Sequence, residues 1–148
     1  YTTNWTSVGS AVNNQTAFGI NANEKFVIKG KAAAGDNTTS TDSLVDNTAY
    51  VLSGVYDYSA TTMWQFINGT QTDKETAIDI GTSTANTPEI GAITTSGRGG
   101  VSVSNEYTGY IAEIIMFNSV LSERNLVDVN HYLGNKYGIA VASKTRFG

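Results

Sequence analysis

The chain has no cysteine, which removes disulfide frameworks, thiol nucleophiles and thiolate metal sites at once. Histidine occurs once, so no triad or zinc site can be assembled around it. Charge is scarce as well: Asp, Glu, Lys and Arg make up 15% of the residues, against about 25% in ordinary globular chains. The formal net charge is −4. Lys and Arg are scattered apart from Lys144 and Arg146, so no basic field exists to attract a phosphate backbone, and nucleic-acid binding is not expected. No apolar run reaches membrane-spanning length and no signal peptide is visible, so membrane insertion is not expected. The sequence opens YTTNW without an initiating Met. We read it as the visible or processed part of something longer, with an upstream strand or leader expected before Tyr1.

What is abundant is Gly, Thr, Ser and Asn around a 40% hydrophobic content. A chain of 148 residues can bury a core without disulfides or metals, so a single domain over 1–148 is expected. Strand signals alternate with turn residues. Residues 16–20 and 25–29 form two short apolar runs joined by Asn21-Ala22-Asn23-Glu24, a hairpin signal. The polar stretch 33–48 reads as a long surface loop. Strands are then expected at 49–56 and 61–67, separated by a turn at 57–60. Asn68-Gly69 follows, the pair that best tolerates positive φ at both central positions of a type I′ turn. A third strand over about 70–74 completes a meander. Trp64 and Phe66 alternate with Met63, Gln65 and Ile67, so both faces of that strand carry apolar weight, which predicts a central strand covered on both sides. Further on, 89–94 reads as a strand, 96–100 as an exposed loop, and 107–120 (YTGYIAEIIMFNSV) as a last strand.

One helix is written into the sequence, over 122–137. Ser122 suits the N-cap, and Leu121 with Leu126 makes a hydrophobic staple. Leu126, Val129, Leu133 and Tyr137 share one stripe at helical spacing, and Gly138 stands where a left-handed C′ residue belongs.

Tyr56-Asp57, Asn68-Gly69, Gly109 to Glu113, Leu121-Ser122 and Lys136-Tyr137-Gly138 occur in an order that resembles the laminin G-like members of the concanavalin A-like lectin/glucanase superfamily. The match covers roughly 49–139 and more loosely 16–32. It implies an all-β jelly-roll sandwich of two antiparallel sheets, closed at one end by a single C-terminal helix. If the usual N-terminal strand is absent, an open sheet edge remains for an upstream segment or another chain to cover.

The superfamily's glucanases carry Glu-x-Asp-x-x-Glu or a close variant on one strand, with carboxyls about 5–5.5 Å apart in retaining enzymes. Here Glu113 is followed by Ile114, Ile115, Met116, Phe117 and Asn118, and Glu75 and Asp79 are four apart. Catalysis is therefore not expected. His131 reads as an ordinary helix residue. The resemblance brings calcium as its common ion, and Asp36, Asp42, Asp46 and Asp57 are the loop carboxylates available, although their spacing is nothing like an EF-hand and Asp is also an ordinary turn residue. No other cofactor is implied. Exposed aromatics could stack on sugar rings: Trp5, Tyr56, Tyr58, Trp64 and Tyr107 are the platforms, with Trp64 assigned to the core and Tyr58 the best placed. Arg98, Asn105 and Glu106 could hydrogen-bond hydroxyls beside Tyr107. Asn4, Asn14, Asn37 and Asn68 begin Asn-x-Ser/Thr triplets that this composition generates by chance.

These features together predict a non-catalytic extracellular or virion-surface module, phage or bacterial, that works by adhesion or glycan contact and is a homo-oligomer. The alternative is a purely structural virion protein, a capsid decoration or tail component acting through subunit contacts. A glycan-active enzyme ranks last.

Overall fold

Turn chemistry sets the order of the strands. A computed structural model describes residues 17–21, 23–29, 37–78, 93–94, 103–104, 107, 109–144 and 146–147. Strands β1 (Ala17–Ile20) and β2 (Lys25–Lys29) pair antiparallel, as their Asn-rich link predicts. Asn21 makes the reversal by accepting the backbone N–H groups of Asn23 and Lys25 on its Oδ1, at 2.9 and 3.0 Å. Strand β3 (Asn37–Ser43) pairs antiparallel with β2, with a bulge between Lys25 and Val27. The second sheet is the expected meander of β4 (Leu52–Asp57), β5 (Thr62–Ile67) and β6 (Thr70–Thr76). Asn68 and Gly69 take φ of 50° and 77°, the positive pair that a type I′ reversal requires. A short ladder, β7 (Ile93–Thr94) with β8 (Val103–Ser104), completes the described strands.

The two three-stranded sheets share a core. Phe26 and Ile28 from β2 meet Met63 from β5, with Leu44 and Ile78 closing the cluster; Phe26, Ile28 and Met63 are fully buried. Gln65 is buried among them and donates its Nε2–H to the Phe26 carbonyl, a tie between the sheets. A second tie runs from the Thr39 N–H to Asp73 Oδ2, 2.7 Å. At Gly54 an added Cβ would stand 3.0 Å from Ile28 Cγ2, so the sheets close tightly there.

The opposite side of β5 serves a different layer. Trp64 and Phe66 pack with Val55, Leu126, Leu121 and Phe147. The central strand is thus covered on both sides, as its alternation predicts, and Trp64 belongs to the core. Each such side chain taken out of water contributes about 1.5–3 kcal/mol before conformational entropy is subtracted.

Helix α1 (Glu123–Tyr137) is capped as expected. Ser122 Oγ accepts the Asn125 N–H at 3.2 Å, Gly138 adopts φ 69°, and the Ile139 N–H reaches the Gly134 carbonyl at 2.8 Å. Leu121 joins the cluster that holds Leu126, as a staple should. The residues after the helix form a strap. The Ala142 N–H donates to the Asn68 carbonyl (2.8 Å), and the Phe147 N–H donates to Glu123 Oε1 (2.8 Å). The Phe147 ring lies 4.9 Å from Trp64 and 5.7 Å from Phe66.

Three expectations are corrected. First, β3 occupies the middle of the stretch read as loop over 33–48. Its β-branched Thr residues suit a pleat, and the buried Ser40 accepts the Phe26 N–H on Oγ, so no apolar alternation announces it. Second, residues 110–120 form no ladder with any described strand. Third, the helix buries Leu126, Asn130 and Gly134, with Val129 and Leu133 only half covered and Tyr137 exposed. Its seat is rotated toward the small and polar residues: the chain after the helix leaves no room for a Cβ at Gly134, and Asn130 accepts the Ser53 hydroxyl of β4. The expected sandwich is present in its coarser form: two antiparallel three-stranded sheets and one helix, with neighbouring strands among the described residues consecutive in sequence. The expected strand at 89–94 is described only at Ile93–Thr94, and the loop at 96–100 lies outside the described residues.

Candidate contact surface

Tyr58 stands on a turn built to hold it. Asp57, the last residue of β4, accepts three hydrogen bonds on Oδ1: from the Ser59 N–H (2.9 Å), the Ser59 hydroxyl (2.6 Å) and the Ala60 N–H (2.9 Å). The Ser59 hydroxyl, followed by the Ala60 amide, holds the Asp57 carboxyl below the usual carboxylate range. Thr61 closes the turn at φ 48°, an uncommon region for a β-branched residue, and its Oγ1 donates to the Ala60 carbonyl. Tyr58 projects from this ordered turn 59% exposed. An aromatic face held on a rigid reversal can stack on the apolar face of a sugar ring or on another flat group.

The second feature went unseen in the sequence. Residues 110–117 carry Tyr110, Ile111, Ile114, Ile115, Met116 and Phe117, exposed by 102, 48, 51, 38, 85 and 51%. Glu113, in the middle of the run, is fastened to α1. Its Oε2 lies 3.1 Å from Lys136 Nζ and accepts the Tyr137 hydroxyl at 3.1 Å, and its Oε1 accepts the Tyr132 hydroxyl at 3.3 Å. Lys136 also donates to the Tyr132 oxygen at 2.9 Å and lies over both tyrosine rings. Lys136 is the main cause of a lowered Glu113 pKa; its own pKa is raised, first by Tyr132 and then by Glu113. Desolvation, followed by Glu113, raises that of Tyr137. The spacing of Tyr132 and Lys136, four apart on the helix, was the available signal for half of this cluster. Its partner Glu113 lies too far away in sequence for any local rule to find.

The other expected site residues do not gather. Asp36, Arg98, Asn105, Glu106 and Trp5 lie outside the described residues. Asp42 and Asp46 are exposed, and Asp57 is committed to its own turn. Among the described residues no three Asp, Glu or His side chains come together as a metal site would need. Tyr107 is 36% exposed, with its ring over the backbone of Gly109. Tyr56 is half-buried against the inter-sheet core, and His131 is half-buried on α1. Asn68 is held by its backbone and by its Oδ1, which accepts the Val51 N–H at 2.9 Å.

No protein-family model matches the chain, and no curated protein sequence matches it. Among solved structures, an S-layer domain-containing protein from Clostridium thermocellum is similar, with a TM-score of 0.46 and 16% sequence identity. The match covers 82% of this chain and spans 59% of that one.

Proposed function

We propose that the chain is a non-catalytic module of an extracellular or virion surface, phage or bacterial, that works by adhesion or glycan contact. The observation that carries this reading is Tyr58, a largely exposed ring on a turn that Asp57 locks with three hydrogen bonds. Protein–sugar contact rewards such an aromatic, because a pre-ordered ring loses little freedom on binding. The low-charge composition, rich in Thr, Ser and Asn, supports the same reading. We also read the fold as laminin G-like, with the jelly-roll winding of that family. The Asp57 turn, the Asn68-Gly69 reversal and the capped helix ending at Gly138 support this. A glycan array probed with the native chain and with Tyr58→Ala tests the function: binding lost in the variant supports it, and no binding by the native chain refutes it.

A second reading, a structural component acting through subunit contacts, is favoured by one observation: the apolar run at 110–117 exposes more hydrophobic surface than a free-standing domain ordinarily leaves in water.

A further inference from the structure

We infer that residues 110–117 are the docking strand for a second copy of this chain, paired antiparallel about a twofold axis at Ile114. The inference deepens the structural reading above and fails separately from glycan contact, because it is read by mass and cross-linking.

The first argument is what the run lacks. A monomer that leaves a strand edge open guards it with Lys, Pro, bulges or inward charges. Residues 110–117, YIAEIIMF, contain no Lys, Arg or Pro. Their single charge, Glu113, is already neutralised from within by Lys136. The segment therefore calls for an uncharged, β-branched or aromatic partner, and its own sequence has that character.

The second argument is area. At their observed exposures the six large apolar residues present on the order of 800 Å², close to the ~800 Å² that one partner contributes to a standard stable interface.

The third is self-complementarity, which a twofold interface requires. The Tyr137 hydroxyl approaches the Ala112 carbonyl at 3.5 Å, so the helix stands on the Ala112 edge of the segment. In an extended chain the N–H and C=O of one residue share an edge and those of the next residue take the other. Tyr110, Ala112, Ile114 and Met116 then turn their backbone groups toward the α1 side, and Ile111, Glu113, Ile115 and Phe117 turn theirs to the open edge. Two copies joined along that edge about Ile114 place Ile111 against Phe117 and Glu113 against Ile115 as hydrogen-bonded pairs. Ala112 meets Met116, and Ile114 meets its own copy. No Glu faces another Glu.

The absence of native cysteine makes the register testable. In the full chain, Ile114→Cys places two thiols opposite each other at a closely spaced pair, within disulfide reach. Met116→Cys lies on the same face and is more exposed, but meets Ala112. The expected result is a native chain of twice the monomer mass in light scattering, which dissociates on dilution. Mild oxidation should give a covalent dimer of Ile114→Cys and leave Met116→Cys monomeric on a non-reducing gel. Ile114→Lys, with its circular dichroism unchanged, should run at monomer mass. A native chain that is monomeric across the dilution series overturns the inference and leaves the run to another segment of the same chain or to a different partner. Equal cross-linking of the two cysteine variants overturns it as well.

Discussion

Asn130 is fully buried on α1, and only one end of its amide is paired: Oδ1 accepts the Ser53 hydroxyl at 2.9 Å, while Nδ2 has no partner. Removing the hydroxyl with Ser53→Ala leaves the whole amide without a partner in a dry seat. A buried acceptor stripped of its bond costs about 1–3 kcal/mol. For a domain of this length that is a fall in melting temperature of roughly 2–12 °C. The same substitution made in an Asn130→Ala background strips no acceptor of its donor and should cost under ~0.5 kcal/mol. The double-mutant cycle therefore predicts a coupling of about 1–2 kcal/mol. Urea titrations of the four proteins, followed by circular dichroism at 222 nm, measure it. If the two costs simply add, the Ser53–Asn130 bond does not hold the helix to β4, and the account of the rotated helix seat is wrong.

Other perturbations test the remaining contacts. Phe147→Ala removes a ring packed against Trp64 and edge-on to Phe66 and should cost about 1–3 kcal/mol, with a red shift in tryptophan emission as Trp64 meets water; unchanged emission would mean the strap is not seated. Gly134→Ala puts a Cβ 2.7 Å from the Ile139 carbonyl oxygen. It should therefore destabilise by about 1–2 kcal/mol despite alanine's better helix propensity, and stabilisation in a urea titration would refute the close approach. Thr61→Gly relieves a β-branched residue at positive φ and should raise the urea midpoint, by about 1 kcal/mol, whereas a lowered midpoint would place the strain elsewhere. Glu113 has a lowered pKa in the folded chain, so its contribution is present above the unfolded value near 4.5 and is lost as pH falls through the folded value. A carboxyl NMR titration should show that depression shrink in Lys136→Met, with the Tyr137 and Tyr132 hydroxyls holding the remainder, and an unchanged midpoint would refute the pairing.

The parts legible in the sequence are those fixed by local chemistry. Asn21, Asn68-Gly69, Ser122 and Gly138 each act within a few residues, and each turn or cap lies where its residue predicts. β5 was legible because both its faces are apolar. β3 was not, because its buried Ser40 is a hydrogen-bonded serine and its strand state comes from the bulged pairing with β2. The run at 110–117 shows the reverse failure. Alternating apolar residues report a capacity to pair, and a ladder also needs a neighbour, which local pattern does not supply. The helix was found while its seat was misjudged, since Asn130 and Gly134 score as polar or small yet are what the crowded contact admits. Tyr58 was legible as a turn aromatic; the Glu113–Lys136 pair was not, because it joins residues 23 apart in the chain.

Because β5 is the shared floor of two unlike cores, neither half can come loose alone. Lifting the helix and strap uncovers Trp64 and Phe66, and parting the sheets uncovers Met63 and Gln65, so each event strips one side of the same strand. The amide protons of residues 63–66 should then trade with deuterium only when the entire molecule opens, and at one common rate. Hinges, if this protein uses any, belong in the turns at either end of that strand rather than between its layers.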